Sequence, residues 1–437
     1  MKDKDTTAKD AVNMFWFRRD LRLEDNAGLH NALKAGCDVL PVFIFDKEIL
    51  DKLDNKADKR VDYFHQALSG MHKELKKHKS GLRVFIGKPL EVFKEITKDY
   101  KIGTVFTNTD YEPAAVKRDK EIKDFLEQKN IGFESFKDQV IFEKDEVVKK
   151  DGTPYTVYTP FSRKWKETLG SGKTESFTTD FSHFLKYAAP KFPQLEDLGF
   201  KKTDITFHEP FPEKSVIDDY DRYRNFPGLD HTTRLGVALR FGTISVRKCV
   251  QFAREHNETW LNELIWREFF MQILHHFPKV VNHPFKEKYE NIEWRNNEKE
   301  FALWCEGKTG YPIVDAGMRQ LNETGFMHNR IRMVTASFLT KHLLIDWRWG
   351  EAYFAEKLLD YELSSNNGNW QWVAGCGCDA APYFRVFNPS EQTKKFDKDH
   401  KYINEWLSEE DQDIEPIVEH VSARKRALDV YGKAVKR

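Results

Sequence analysis

Apolar residues follow two rhythms along this chain, and the change of rhythm divides it. Between residues 11 and 140 stand four short apolar runs rich in β-branched and aromatic residues: NMFWF (13–17), VLPVFIF (39–45), LRVFIG (82–87) and TVFTN (104–108). Polar stretches with helical periodicity, such as 57–78 and 113–129, lie between them. This alternation predicts a parallel sheet wrapped by helices, a Rossmann-like α/β domain over 11–140. No G-x-G-x-x-G follows the first strand, so the dinucleotide fingerprint is missing.

Residues 141–210 read as a long connecting segment. They carry charge runs, Gly152-Thr153-Pro154, and prolines at 160, 190, 193 and 210, with another at 212 just beyond. A segment this long is expected to hold one or two helices. From 211 to 437 strand patterns are rare and helical stretches dominate: 243–256, 258–276, 298–306, 312–323, 328–345, 349–360 and 399–407. This predicts an all-α domain; it holds nine of the eleven Trp and no internal repeat.

Composition narrows the class. A hydrophobic share of 40% over 437 residues supports sizeable cores. Lys plus Arg equals Asp plus Glu, 70 against 70, which gives no global attraction to nucleic acid but leaves room for a local basic face. Five cysteines without framework spacing argue against a disulfide scaffold and for a reducing cytoplasm, and Cys376-x-Cys378 lacks zinc-knuckle spacing. The leading MKDKDTTAKD has no apolar h-region, and no run of about 18 apolar residues predicts a membrane span.

Four constellations could carry chemistry. In WLNELIWREFF (260–270), helical spacing puts Trp260, Glu263 and Arg267 on one face with Trp266 beside it; the plain alternative is a core helix with an i,i+4 ion pair. In GFMHNRIRMVTASFL (325–339), Asn329, Arg332 and Met333 share a face next to Arg330, either a basic solvent face or a surface for phosphates and a base. In LLDYELSSNNGNWQW (358–372), Asp360 and Glu362 end one helix, SSNNGN reads as a loop, and Trp370 and Trp372 open the next segment. The acids suit amide N–H donors, although an ordinary helix corner gives the same pattern. In HTTRLGVALRFGTIS (231–245), Thr232 and Thr233 precede a helix, as a phosphate cradle or a simple N-cap. Gly307-Lys308-Thr309 mimics the end of a phosphate loop, but position 302 is Ala and 298–306 reads as helix, so nucleotide hydrolysis is excluded.

Taken together and in order, WFRRDLRLEDN (16–26), PFSRKW (160–165), NFPG…TTRLG…LRFGTIS (225–245), WLNELIWREFF, GKTGYPIVDAGMRQL (307–321), MHNRIRM (327–333) and NNGNWQWVAGCGCDAAPYFRVFNP (366–389) resemble the photolyase/cryptochrome family over residues 12–407. Within it the chain most resembles the class I cyclobutane pyrimidine dimer photolyases. The resemblance implies an α/β antenna domain, a linker, and a helical domain holding FAD. It implies light-driven repair of UV-damaged DNA by a cytoplasmic monomer.

Carried over by motif, the implied flavin site comprises Tyr220, Thr232, Thr233, Arg234, Leu235, Gly236, Trp260, Arg267, Arg332, Asp360, Tyr361, Glu362 and Asn366, with Glu263 at its border. The implied substrate pocket uses Glu263, Trp266, Asn329, Met333 and Trp372, with Arg224, Arg330 and Arg385 on phosphates. Trp370, Trp347 and Trp294 match the family's tryptophan electron chain. Three positions depart from the family: Gly236 replaces a Ser, the acidic pair reads Asp360-Tyr361-Glu362 rather than D-x-D, and Phe326 replaces a common Trp. The second chromophore stays open between folate, a deazaflavin, another flavin or none: Glu112 matches a folate-contacting acid, while Val281 stands where those relatives carry Lys.

Three other readings remain at this point. A (6-4) photoproduct enzyme would carry a His pair where this chain has Asn329 and Met333. A cryptochrome often carries a long C-terminal tail, and only about 30 residues follow Trp406 here. The third is flavin redox chemistry in the dark.

Overall fold

The computed structural model describes residues 11–172 and 174–436, which fall into two compact units. The leading MKDKDTTAKD lies outside the described residues. Of the described residues, those within 11–143, 171–212 and 235–252 form the first unit, and those within 144–170, 213–234 and 253–436 the second. The stretch 141–210, read above as one connector, is thus shared between the units. Its described residues contain one α-helix, Tyr158–Leu169, and short 3-10 turns at Lys144–Glu146, Phe181–His183 and Glu196–Leu198.

The first unit is built on a five-stranded parallel sheet: β1 (Val12–Phe17), β2 (Val39–Asp46), β3 (Arg83–Gly87), β4 (Ile102–Asn108) and β5 (Gly132–Phe136), in the order β3-β2-β1-β4-β5. Period-2 alternation sends Phe15 and Phe17 to one face and Met14 and Trp16 to the other, and both faces are buried, as parallel sheets require. Helices Ala27–Lys34 and Lys59–Lys77 supply Leu29, Val61 and Leu68 to the first face. Helices Pro89–Asp99 and Pro113–Glu127 supply Phe93, Ile96, Ile122 and Leu126 to the second.

β5 was not foreseen. Its sequence, GFESF, places Glu and Ser among two aromatics at a half-exposed edge, so it lacks the apolar run that marks the buried strands. Strand order reverses between β1 and β4. Just beyond, Arg22 and Arg247 both pair with the buried Asp138, at 2.7 and 2.8 Å.

The second unit is all-α, and its buried apolar residues include a cluster with Trp304, Ile331, Leu339, Trp347, Phe354 and Trp370. Its longest helices are Glu258–His276, capped by Asn257 onto the N–H groups of Thr259 and Trp260, and the C-terminal His420–Lys436. Asn329–Ser337 runs on into a π-helical segment, Phe338–Leu343, and is followed by Trp347–Lys357.

Residues 363–374 correct the loop expected at SSNNGN: they form a helix, Leu363–Ala374. The loop-prone residues are overridden by two features. Glu362 does not end the preceding helix, which stops at Lys357; it caps the new one, its carboxylate accepting from the N–H of Ser364 (3.2 Å) and Ser365 (2.9 Å). Gly368 has no Cβ to collide with the Phe270 ring, so the helix seats directly against Glu258–His276. Among the described residues no helix is long and apolar enough to cross a membrane.

Candidate active site

A cleft of ≈ 560 Å³, its open mouth included, lies in the second unit. Four structural pieces wall it: the Asn329–Ser337 helix, the Trp347–Lys357 helix through Phe354, the turn at 358–362 and the Leu363–Ala374 helix. The helical spacing read from the sequence delivers Asn329, Arg332 and Met333 together into its lining. Asp360, Tyr361, Glu362, Asn366 and Trp370 line it too, with Ala336, Phe354, Leu358 and Val373 as apolar wall.

The polar atoms of this lining are unevenly satisfied. Arg332 donates through Nη2 to Asp360 Oδ2 at 2.8 Å and through Nε to the Met327 carbonyl at 2.8 Å. Asp360 Oδ1 is buried and accepts no hydrogen bond. A carboxylate half-used in this way is poised for an N–H donor. Asn366 spends its Nδ2 on the Glu351 carbonyl (3.1 Å) and on Glu351 Oε1 (3.0 Å), which leaves its Oδ1 as a second acceptor. Burial pushes the Glu351 carboxyl up from its usual range, and the Asn366 amide draws it back down. Glu362 serves the helix N-terminus, also accepting from Ser364 Oγ at 2.5 Å.

The residues therefore fit a planar ligand bearing amide N–H groups, such as an isoalloxazine: two acceptors, a guanidinium and an apolar wall line one cleft.

The remaining residues of interest fall into three groups. On the Glu258–His276 helix, Trp260 is buried, and Glu263 forms a short ion pair with Arg224, whose guanidinium lies 5.6 Å from the Tyr220 ring. Arg224 is thus engaged by a carboxylate. Burial raises the Glu263 carboxyl above its usual range, and Arg224 opposes the shift. Trp266 and Arg267 are half-buried.

Arg330 donates to Asn225 Oδ1 at 2.7 Å and sits 4.2 Å over the Phe396 ring, while Arg385 is exposed. Trp372 is half-buried against the apolar cluster. Residues 232–236 straddle the two units, with 232–234 in the second and Leu235 and Gly236 in the first. Neither Thr232 nor Thr233 caps the short helix Gly236–Phe241, whose N-cap is Leu235. Arg234 pairs with Asp230 at 2.9 Å.

The three indoles of the expected electron chain share one cluster: Trp370 and Trp347 buried within it, Trp294 half-buried on it. Glu112 is engaged by Arg19 (2.7 Å) and Arg240 (3.2 Å).

Sequence reasoning missed Glu351, Ser365, Asn369 and Tyr158. Ser365 and Asn369 belong to the helix mistaken for a loop. Glu351 reads as one more polar residue of a helix, and nothing in its spacing singles it out. Tyr158 stacks face to face on Trp266, ring centroids 3.6 Å apart and planes 5° from parallel.

A parallel α/β unit and an all-α unit that carries a cleft lined by Arg332, Asp360 and Asn366 define a two-unit ligand-binding protein. Two family models match: one described as DNA photolyase over residues 13–179, the other as the FAD binding domain of DNA photolyase over 260–428. The deoxyribodipyrimidine photo-lyase of Synechococcus sp. is 37% identical over 428 residues, covering 91% of this chain and 87% of that one. That of Escherichia coli is 35% identical over 475 residues, covering 97% and 99%. Among solved structures, a bacterial class III photolyase from Agrobacterium tumefaciens aligns with a TM-score of 0.84 at 32% identity, covering 100% of both chains. An archaeal photolyase from Sulfolobus tokodaii, described with two FAD molecules, aligns at 0.81 and 35%, covering 97% of this chain and 100% of that one. The chain belongs to the DNA photolyase family.

Proposed function

We propose that the chain repairs cyclobutane pyrimidine dimers in UV-damaged DNA by light-driven electron transfer, with FAD held in the cleft of the second unit. The observation that carries this reading is the shared lining: Arg332, Asp360 and Asn366, suited to a flavin, stand in one cleft with Asn329 and Met333, suited to a base. Electron transfer to a damaged base needs that adjacency.

FAD, when bound and reduced, supplies the photoexcitable electron donor. The protein supplies placement. Arg332 holds Asp360 in the cleft wall by its hydrogen bond to Oδ2, and Asp360 Oδ1 and Asn366 Oδ1 accept N–H groups from the ligand. Phe354, Leu358, Val373 and Trp370 exclude water from its apolar side. A flipped dimer stacks on Trp266 and Trp372, Glu263 and Asn329 read its polar edges, and Arg330 and Arg385 meet phosphates. Trp370, Trp347 and Trp294 form the route for replacing electrons. Asn329 and Met333 at the cleft give no His pair, which favours the cyclobutane dimer over the (6-4) photoproduct. For a second chromophore, the double engagement of Glu112 by Arg19 and Arg240 weighs against folate and leaves a deazaflavin, another flavin or none.

The test is repair of a dimer-containing oligonucleotide with and without blue light, beside an absorption spectrum of the purified protein. Light-dependent repair with a flavin spectrum is expected; equal repair in light and dark rejects the reading.

A further inference from the structure

We propose that Tyr158 is a positioning residue for dimer recognition: it covers one face of the Trp266 indole, fixes the plane of that ring, and leaves the opposite face as the platform for the damaged base. This rests on the reading of Trp266 as a stacking surface.

Full face-to-face overlap at 3.6 Å and 5° is not the geometry that two aromatic rings settle into unaided; offset or edge contacts are preferred. Here it is imposed from the backbone. Tyr158 opens the Tyr158–Leu169 helix, whose N-cap, Val157, offers no side-chain cap. The missing acceptor comes from far along the chain: Asp379 Oδ2 takes the Tyr158 N–H at 3.0 Å. The Tyr158 hydroxyl donates to the Asn262 carbonyl, one turn before Trp266 on the Glu258–His276 helix, at 2.9 Å. Further along the same two helices, Trp165 Nε1 donates to Glu268 Oε1 at 2.6 Å and Lys166 to Glu258 at 2.7 Å, locking their register.

Phe269 closes the edges, meeting Tyr158 at 78° and Trp266 at 81°. Phe270 makes a looser, tilted stack on the indole, at 5.5 Å and 30°, and Trp266 stays half-exposed beside it.

An indole held this way loses no rotamer freedom when a base arrives, so the ordering cost is met on folding rather than on binding. With one face blocked, it also admits one ring. An extruded dimer can present a ring to it, whereas a base still stacked in intact duplex cannot.

Tyr158→Leu is expected to weaken binding of a dimer-containing oligonucleotide by about five- to tenfold, with undamaged duplex and flavin content unchanged. Tyr158→Phe, which keeps the stack, restores the preference for damage. In a Trp266→Ala background, Tyr158→Leu costs nothing further, because the ring it positions is gone. An equal loss on undamaged duplex, or a Tyr158→Leu loss that persists undiminished in the Trp266→Ala background, overturns the assignment while leaving the repair function standing. Wild-type protein without light-dependent repair overturns the function and the assignment together.

Discussion

Two carboxylates in the second unit are held by arginines to opposite ends. Asp360 takes one donor from Arg332 and keeps Oδ1 buried without a partner. Asp360→Asn preserves shape but offers a neutral acceptor, and an amide N–H can then face the ligand's own donor. Loss of a charge-assisted hydrogen bond is worth about 10- to 100-fold in affinity. Flavin titration of the variant apoprotein should show that loss, and an unchanged affinity would remove Asp360 from the flavin site. Glu263 differs because burial raises its carboxyl and only Arg224 restrains it. If Glu263 serves as an acceptor, binding of dimer DNA falls on the acid side as its carboxylate takes up a proton. Arg224→Leu removes the restraining cation, so Glu263 holds its proton to higher pH and the acid limb moves upward. A pH series of dimer-DNA binding checks this; a limb that stays in place excludes Glu263 as the titrating group.

At the scale of helices and strands, the legible parts were those in which one period governs a long stretch. The three buried strands β1, β2 and β4 and the Glu258–His276 helix announce themselves because each carries a long apolar stretch into the interior. The faces joining Asn329 to Arg332 and Met333 followed from spacing alone, as their shared cleft shows. Two elements were illegible for reasons of tertiary origin. β5 is a half-exposed edge with no apolar run, and Leu363–Ala374 is helical because Glu362 caps it and Gly368 lets it seat on Phe270. The stack of Tyr158 on Trp266 was equally hidden, since it joins residues far apart in sequence. The Tyr158–Leu169 helix depends on partners outside itself, and Trp165 makes this measurable. Trp165→Phe keeps a buried ring but withdraws the N–H from the buried Glu268, at a cost of about 1–3 kcal/mol. Urea denaturation should register it, and a neutral result would mean that Glu268 does not depend on that bond.

Across the whole molecule, the chain passes repeatedly between its two units, and residues 235–252 return to the first one. Hydrophobic periodicity could not reveal this, because an amphipathic helix shows which face it buries but not against which unit. Arg247, within that returning stretch, supplies the tie: it meets Asp25 at 3.1 Å and Asp138 at 2.8 Å, while Arg22 reaches the same Asp138 carboxylate. Burial alone would raise the Asp138 carboxyl, yet Arg22 and Arg247 together hold it below the usual range. Such a group binds its proton less tightly in the folded chain than in the unfolded one. Its stabilisation is therefore complete at neutral pH and is lost as pH falls through the depressed value. Asp138→Asn leaves two buried guanidinium groups short of an anion and should destabilise the protein by about 3 kcal/mol at neutral pH. The gap between variant and wild type should then narrow as pH drops below about 3.9, where the wild-type carboxyl begins to lose its advantage. Amide hydrogen exchange in β1 and β4, followed at both ends of that range, isolates the first unit from the second. A gap that stays constant with pH would mean that Asp138 contributes shape and hydrogen bonds but no charge to the tie.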